Sequence, residues 1–263
     1  MPREATFTAI FKPLQRKVLV GVLRQVVHNP GLHLFILKNY HYTEEFGGAE
    51  LRRVARLVND PDLKRKIEQH SADEDKHASL FKQRILELGG SPALTPAEMN
   101  VAFFRRFDSF GLGISPQRFD ADTPLEVSEL IPFLVPLKVE EDAGRTIFQA
   151  HLQASNDDTK TQSMLAEILH DEHRHAAYLT EALEKFGREG YQPSIDAAFE
   201  VCRKHFKFNA SPREMKLRRL LTILEMYPYT PVGPVARMFW CIMSPLIRIA
   251  RARARRSPAL SSS

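Results

Sequence analysis

Two short motifs that pair a carboxylate with an imidazole carry the clearest chemical signal in this sequence. They are Glu74-Asp-Lys-His77 and Glu172-His-Arg-His175, and both read Glu-x-x-His. Residues three positions apart share one face of an α-helix, so each motif would present its carboxylate and its imidazole together. Mixed oxygen and imidazole ligands suit iron or manganese. One such match is weak evidence, but two on separate helices indicate a metal site.

The helical position of each motif separates these two from a third match, Glu167-Ile-Leu-His170. The helical lines through Glu74 and through Glu172 are apolar on both sides of the motif. Such an apolar stripe faces the core of a helical bundle. The line through Glu167 passes charged residues instead. We therefore predict that Glu167 and His170 lie on a solvated face.

The helices that precede the two motifs share a pattern of their own, Glu-Glu-x-x-Gly. It occurs as Glu44-Glu-Phe-Gly-Gly48 and as Glu140-Glu-Asp-Ala-Gly144. Turns near residues 60 and 157 would fold each of these helices back onto the helix with the Glu-x-x-His motif. An antiparallel hairpin brings the preceding Glu level with the motif, so the chain contains a weak repeat of one helix hairpin.

One carboxylate of each Glu-Glu pair has to be chosen as the inward-facing one. Glu44 lies on an apolar helical line and Glu45 does not, which favours Glu44. On the third long helix, Glu140 and Glu141 are nearly equal by this criterion. The repeat favours Glu140, because a Gly then follows it by four residues, as in the first hairpin.

These choices put four carboxylates and two imidazoles at one level of the bundle. Buried carboxylates are costly and four together repel one another, so two bound cations would neutralise them. The predicted metal ligands are Glu44, Glu74, His77, Glu140, Glu172 and His175. His70 and His151 lie on the same helices and stay open as extra ligands, although an ordinary structural role is our preferred interpretation of both.

The elements that must position these residues are helical almost throughout. Four long helices are predicted, separated by turn residues and glycines. They cover about 32–58, 61–88, 125–155 and 159–186. No alternating pattern bounded by turn residues predicts a strand. Four long helices in two hairpins imply an all-α four-helix bundle with additional helices at both ends.

Length and cysteine content set the domain organisation and the compartment that we expect. A chain of 263 residues fits one domain with appendages. We place an N-terminal amphipathic helical extension at 1–31, the bundle at 32–190 and a C-terminal helical extension with a basic tail at 191–263. Two cysteines cannot form a disulfide scaffold, and no apolar run is long enough to span a membrane. We therefore expect a cytoplasmic protein.

The net charge of +5 belongs to the C-terminal tail. From residue 226 to 263 the sequence has six Arg and no acidic residue, and without those six the chain has 31 basic and 32 acidic residues. A basic surface for nucleic acid is therefore not expected. The segment 235–256 combines an apolar run with arginines, which is typical of peripheral binding to the inner face of a membrane. A docked helix followed by a basic end explains it equally well.

The residues quoted above resemble the ferritin-like di-iron carboxylate superfamily over residues 32–187. Its members carry one Glu from each of two helices and a Glu-x-x-His from each of the other two. The resemblance implies a centre of two iron ions, with manganese as an alternative. It also implies that Glu74 and Glu172 are the bridging and catalytic carboxylates, that O2 is a co-substrate, and that an external reductase or other electron donor reduces the centre.

The function implied by this resemblance is a non-haem di-iron oxygenase or oxidase, monooxygenase-like, that oxidises a small hydrophobic substrate. The regions 89–122 and 191–263 exceed a minimal ferritin subunit and favour an enzyme. The alternative is a ferritin-like or rubrerythrin-like ferroxidase or peroxide-detoxifying protein, although the chain has no rubredoxin-like Cys-x-x-Cys. A metal-free, membrane-associated adaptor is the second alternative. The sequence names neither the substrate nor the electron donor, and it leaves a homodimer open.

Overall fold

The architecture is all-helical in the part of the chain that the computed structural model describes. The described residues are 16–17, 19–95, 98, 112–121 and 123–205. The long elements are α1 (Pro30–Ala55), α2 (Pro61–Glu87), α3 (Val127–Ala154), α4 (Thr159–Phe186) and α5 (Gln192–His205). A short 3-10 helix, Pro116–Asp120, lies between α2 and α3. The predicted all-α fold with four long helices is confirmed.

Side-chain caps fix where three of the long helices begin. Asn29 caps α1 by accepting a hydrogen bond from the N–H of Leu32. Asp60 and Asp158 cap α2 and α4 in the same way. A proline near the first helical position of α1 and of α2 adds to this, because its missing N–H would have no helical partner there.

The four long helices form two antiparallel hairpins. α1 packs along α2, α3 packs along α4, and α2 contacts α4 where the hairpins meet. The chain then kinks at Gly190, whose φ of 99° is a conformation that favours glycine. After the kink, α5 packs against α3. The order of hairpins is the one that the sequence repeat predicts.

Two apolar cores occupy different levels of the bundle, and a polar layer separates them. All four long helices contribute to both cores. On α2, Ile67 belongs to one core and Phe81 to the other, and Leu179 and Leu165 divide in the same way on α4. The stretch between them holds a buried Glu on each of the four helices, and on α2 and α4 it also holds buried His side chains. The fold therefore places the predicted chemistry midway along the bundle.

Pro136, inside α3, frees a backbone carbonyl that the rest of the fold must satisfy. Pro136 has no N–H, so the carbonyl of Pro132, four residues earlier, loses its helical partner. The N–H of Gly113 donates to that carbonyl over 2.8 Å. Gly113 has a φ of 81°, which a residue with a Cβ adopts only with strain. This bond fixes the connection between the hairpins against α3.

The N-terminal extension is helical where it is described. Residues 19–27 form a helix, and its Leu19 and Val26 are buried in the same core as Phe35. No helix of the described part is long and apolar enough to cross a membrane. The segment 235–256, for which we expect membrane binding, lies outside the described residues. The domain limits at 31 and 190 stay predictions.

Two buried histidines lie side by side in this core, away from the polar layer. The ring centroids of His33 and His151 are 5.3 Å apart. Neither ring nitrogen of His151 has a hydrogen-bond partner among the described residues. Burial lowers the pKa of His151 to about 3 and the pKa of His33 to about 4, from an ordinary value of 6.5. Both imidazoles are therefore neutral at pH 7.

Acid should weaken the fold through these histidines. Below pH 6.5 the imidazole of residue 151 binds a proton in the unfolded chain, whereas in the folded protein it binds one only near pH 3. The unfolding free energy is therefore full above pH 6.5 and decreases as the pH falls below it. When the pH is lowered from 7 to 5, the unfolding free energy of His151→Leu should decrease by about 2 kcal/mol less than that of wild type. Urea unfolding followed by circular dichroism, with a chelator present, measures the difference. His170→Leu, at an exposed position, should match wild type, and an equal loss in wild type and His151→Leu contradicts the prediction.

Candidate metal centre

Seven acidic and imidazole side chains from all four bundle helices are buried in the polar layer. α1 and α3 supply one Glu each, α2 supplies a Glu and two His, and α4 supplies a Glu and a His. They are Glu44, His70, Glu74, His77, Glu141, Glu172 and His175. Their ligand atoms form two groups, and within each group all the atoms lie within 4.8 Å of one another.

The first group surrounds the fully enclosed imidazole of His77. Its members are Glu44, Glu74, His77 and Glu172. The Nδ1 of His77 lies 3.6 Å from Glu172 Oε1 and 3.7 Å from Glu44 Oε2. Glu74 Oε1 is 3.9 Å away. This nitrogen has no hydrogen-bond partner among the described residues. Three carboxylates surround it, so its lone pair could bind a cation.

The second group surrounds the imidazole of His175. Its members are His70, Glu74, Glu141 and His175. The Nδ1 of His175 lies 3.5 Å from Glu74 Oε1 and 3.6 Å from Glu141 Oε2. This nitrogen and Glu141 Oε2 both lack a hydrogen-bond partner within the described part of the chain. Glu74 belongs to both groups, which is the position of a carboxylate that bridges two cations.

The bundle brings together all the ligands predicted from the sequence except Glu140. On α3 the structure buries Glu141 and places it in the second group. Glu140 is only half-buried and lines a neighbouring cavity. The inward-facing carboxylate of α3 is therefore corrected from Glu140 to Glu141. That these residues bind metal stays a prediction.

The glycines explain why the repeat pointed to the wrong carboxylate. A Cβ on Gly47 would lie 3.6 Å from Glu74 Oε2, and a Cβ on Gly144 would lie 3.4 Å from Glu172 Oε2. Gly47 and Gly144 are therefore the equivalent glycines, and each follows its buried Glu by three residues. The Glu-Glu-x-x-Gly repeat pairs Gly144 with Gly48 instead, which shifts the third helix by one residue.

Each imidazole of the two Glu-x-x-His motifs is held by an aspartate from the other motif's helix. His77 Nε2 donates to Asp171 Oδ2 and His175 Nε2 donates to Asp73 Oδ2, both over 3.2 Å. In the neutral imidazole, a proton held on Nε2 by the aspartate leaves the lone pair on Nδ1, the nitrogen that faces the carboxylates. The two hairpins therefore orient each other's imidazoles.

Sequence reasoning missed these aspartates, although a signal for them was present. Each directly precedes the Glu of its motif, and each motif has a basic residue before its His, so the repeat extends to Asp-Glu-x-basic-His. Lys76 forms an ion pair with Asp171, and Arg174 pairs with Asp171 and with Asp73. Although burial opposes ionisation, hydrogen bonds from Lys76 and Arg174 hold the pKa of Asp171 below its usual range.

Three further histidine assignments can be compared with the structure. His170, like Glu167, is exposed, as predicted for the solvated face. His151 lies outside both ligand groups, beside His33. His70, for which a structural role was preferred, is a member of the second group.

The carboxylates of the two groups cannot all ionise in the absence of a cation. Burial and the negative charge of Glu44 raise the pKa of Glu74 well above its usual value. Burial also opposes the ionisation of Glu141, but His70 and His175 hold its pKa well below the usual value. The unpartnered nitrogens and the mixed oxygen and imidazole donors therefore fit two cations of the iron or manganese type, which would replace the proton of Glu74.

A cavity lies against both ligand groups, between α1 and α3. Its volume is about 130 Å³, which approaches the roughly 150 Å³ of an apolar protein cavity that binds benzene. Its apolar wall includes Phe46, Leu51, Phe133, Leu137, Ile147 and Phe148. Side chains of both groups, among them Glu44 and Glu141, also line it. Exposed Thr43 lines it as well, so the cavity reaches the protein surface.

Comparison with protein families gives the relationship of the chain. The family model of the ferritin-like domain matches residues 51–188, which is more than half of the 263 residues. The chain belongs to the ferritin-like domain family. The ferritin-like match includes both Glu-x-x-His motifs and Glu141 but begins after Glu44, so the place of Glu44 rests on the geometry of α1. Neither the curated proteins nor the solved structures gave a match.

The correction on α3 can be tested with a matched pair of substitutions. Glu141→Gln removes a charged oxygen from the second group, so we expect the reconstituted protein to hold less than its full complement of Fe(II) or Mn(II). Glu140→Gln changes the neighbouring residue outside both groups and should retain the full complement. Elemental analysis after anaerobic reconstitution and desalting measures the metal content of both variants. Loss of metal from Glu140→Gln but not from Glu141→Gln would restore Glu140 as the inward-facing carboxylate.

The aspartates that hold the imidazoles should affect metal affinity without touching the metal. We expect Asp73→Asn and Asp171→Asn to weaken binding of Mn(II) by about 10- to 100-fold, because the neutral amide lacks the charge that strengthens each hydrogen bond from Nε2–H. Asp75→Asn is the matched control, since Asp75 lies beside Glu74 but pairs with Arg52 on the surface. Isothermal titration of the metal-free proteins gives the affinities. Equal effects of all three substitutions would contradict the orienting role.

Proposed function

We propose that this ferritin-like protein is a non-haem di-iron oxidoreductase that uses O2 to oxidise a small, hydrophobic organic molecule. The single observation that carries the proposal is the apolar cavity that side chains of both ligand groups line. A guest about the size of benzene would lie against the ligands themselves. An apolar space suits an uncharged organic molecule better than the hydrated Fe(II) that a ferroxidase must admit.

The chain's contribution to this reaction is position and environment. Iron, when bound, supplies the redox chemistry with O2. For insertion of one oxygen atom into the substrate, the other atom leaves as water, and an external donor provides two electrons together with two protons. The apolar wall, which includes Phe133 and Phe148, excludes water and favours an uncharged substrate. The aspartates Asp73 and Asp171 keep the imidazoles oriented.

Filling the cavity should separate substrate oxidation from the reaction of iron with O2. Leu137 is a half-buried wall residue outside both ligand groups, so Leu137→Trp fills the cavity and leaves the ligands in place. Wild type, loaded anaerobically with Fe(II), should consume O2 faster when small aromatic compounds and a reductant are present, and should yield oxidised product. We expect the variant to lose at least about 90% of this stimulation, since overfilling displaces the guest, while its bound Fe(II) still oxidises.

Leu86→Trp enlarges a leucine that is 55% exposed and should behave as wild type. A single oxidation of bound Fe(II) that no apolar compound stimulates, in wild type and variant alike, would support the ferroxidase alternative. Failure of the wild-type protein to bind iron would support the metal-free adaptor.

A further inference from the structure

The two halves of the metal centre differ at one position. Aligned on the Asp-Glu-x-basic-His repeat, His70 lies four residues before Glu74, and the equivalent residue, four before Glu172, is Ile168. Both side chains are buried, Ile168 completely. The hairpin repeat therefore places an imidazole beside one ligand group and a hydrocarbon side chain at the matching position of the other.

The imidazole of His70 points into the second ligand group. Its Nε2 lies 3.1 Å from Glu74 Oε1 and 3.3 Å from Glu141 Oε1. Its ring stacks on the ring of His175, with centroids 3.6 Å apart and 24° between the planes. Since the Nδ1 of His175 faces the same two carboxylates, two parallel imidazoles aim nitrogens at one location.

The other nitrogen of His70 is already occupied. Its Nδ1 forms a 2.8 Å hydrogen bond with the hydroxyl of Tyr178, which is buried. A neutral imidazole has one N–H and one lone pair. If the N–H on Nδ1 donates to Tyr178, the lone pair lies on Nε2, the nitrogen nearest the carboxylates. Tyr178 thus orients His70 through a hydrogen bond, as the aspartates orient His77 and His175.

We infer that His70 is a third imidazole ligand, which makes the two metal positions chemically unequal. This inference rests on the two-cation centre of the proposed function. One position has three carboxylates and one imidazole, from Glu44, Glu74, Glu172 and His77. The other has two carboxylates and two imidazoles, from Glu74, Glu141, His70 and His175. The first favours a harder, more highly charged cation and the second a softer divalent one.

A purely structural His70 would give a different result. In that case its Nε2–H would donate to Glu74 and Glu141 and would remain protonated when metal binds, so only two imidazoles would contact the metals. The number of metal-bound imidazoles therefore separates the two roles, and it can be counted without any turnover.

Proton NMR of the cobalt-substituted protein makes this count. Imidazoles bound to Co(II) show strongly shifted N–H signals that vanish in D2O. With two Co(II) bound under anaerobic conditions, we expect three such signals, from the N–H groups that His77, His175 and His70 donate to Asp171, Asp73 and Tyr178. His70→Gln should show two signals. The more weakly bound of its two Co(II) ions should bind at least about tenfold less tightly than the corresponding ion in wild type.

Two further variants make the result specific to His70. His170→Gln removes an exposed histidine of α4 and should keep three signals and wild-type affinities. Tyr178→Phe keeps the imidazole but removes its partner, so one of the three signals alone should shift or exchange faster.

The outcomes separate this inference from the proposed function. Two shifted N–H signals in wild type with two Co(II) bound overturn the inference and leave a two-metal oxidoreductase intact. Three signals that persist in His70→Gln overturn it as well. If His70→Gln does not fold, the count in wild type decides alone. Absence of binding of both Co(II) and Fe(II) by wild type overturns the inference and the proposed function together.

Discussion

Burial of several carboxylates at one level of a helical bundle is the constraint on which the rest of this structure depends. Charged groups inside a protein lose their hydration, and the loss must be offset by counter-charge or hydrogen bonds. Two apolar cores on either side of the polar layer hold the four helices in place. Around the layer, basic residues such as Arg174 neutralise the outer aspartates. Inside it, a proton on Glu74 and the imidazoles of His70 and His175 offset part of the inner carboxylate charge, and bound cations would offset the rest.

Much of this arrangement could be predicted from the sequence because helical periodicity and end signals are local. The starts predicted near residues 32, 61 and 159 lie within two residues of the observed ones, because the caps Asn29, Asp60 and Asp158 act within one turn. The inward direction of Glu74 and Glu172 follows from the apolar residues above and below them on the same helical line. Both kinds of signal are read from one helix at a time, and both were confirmed by the structure.

What could not be predicted depends on contacts between helices. Gly48 and Gly144 looked equivalent in sequence, but a Cβ on Gly48 would lie 3.2 Å from the backbone oxygen of Ser71, so this glycine allows α1 to approach α2 closely. Its neighbour Gly47 is the one that faces a ligand carboxylate. A single sequence cannot separate these two roles, and the resulting slip of one residue exchanged Glu141 for Glu140. The cavity between α1 and α3 was invisible for the same reason.

The same glycines connect the ligand layer with the cavity. Gly47 and Gly144 line the cavity from its two opposite helices, and each lies over a carboxylate oxygen. A larger side chain at either position would fill space beside Glu74 or Glu172 and cover that oxygen. Glycine within a helix costs roughly 1 kcal/mol relative to alanine, so helix stability does not explain its occurrence on both helices at this level. The geometry provides an open, apolar approach to these carboxylate oxygens, and the proposed oxidation of an external molecule would use it.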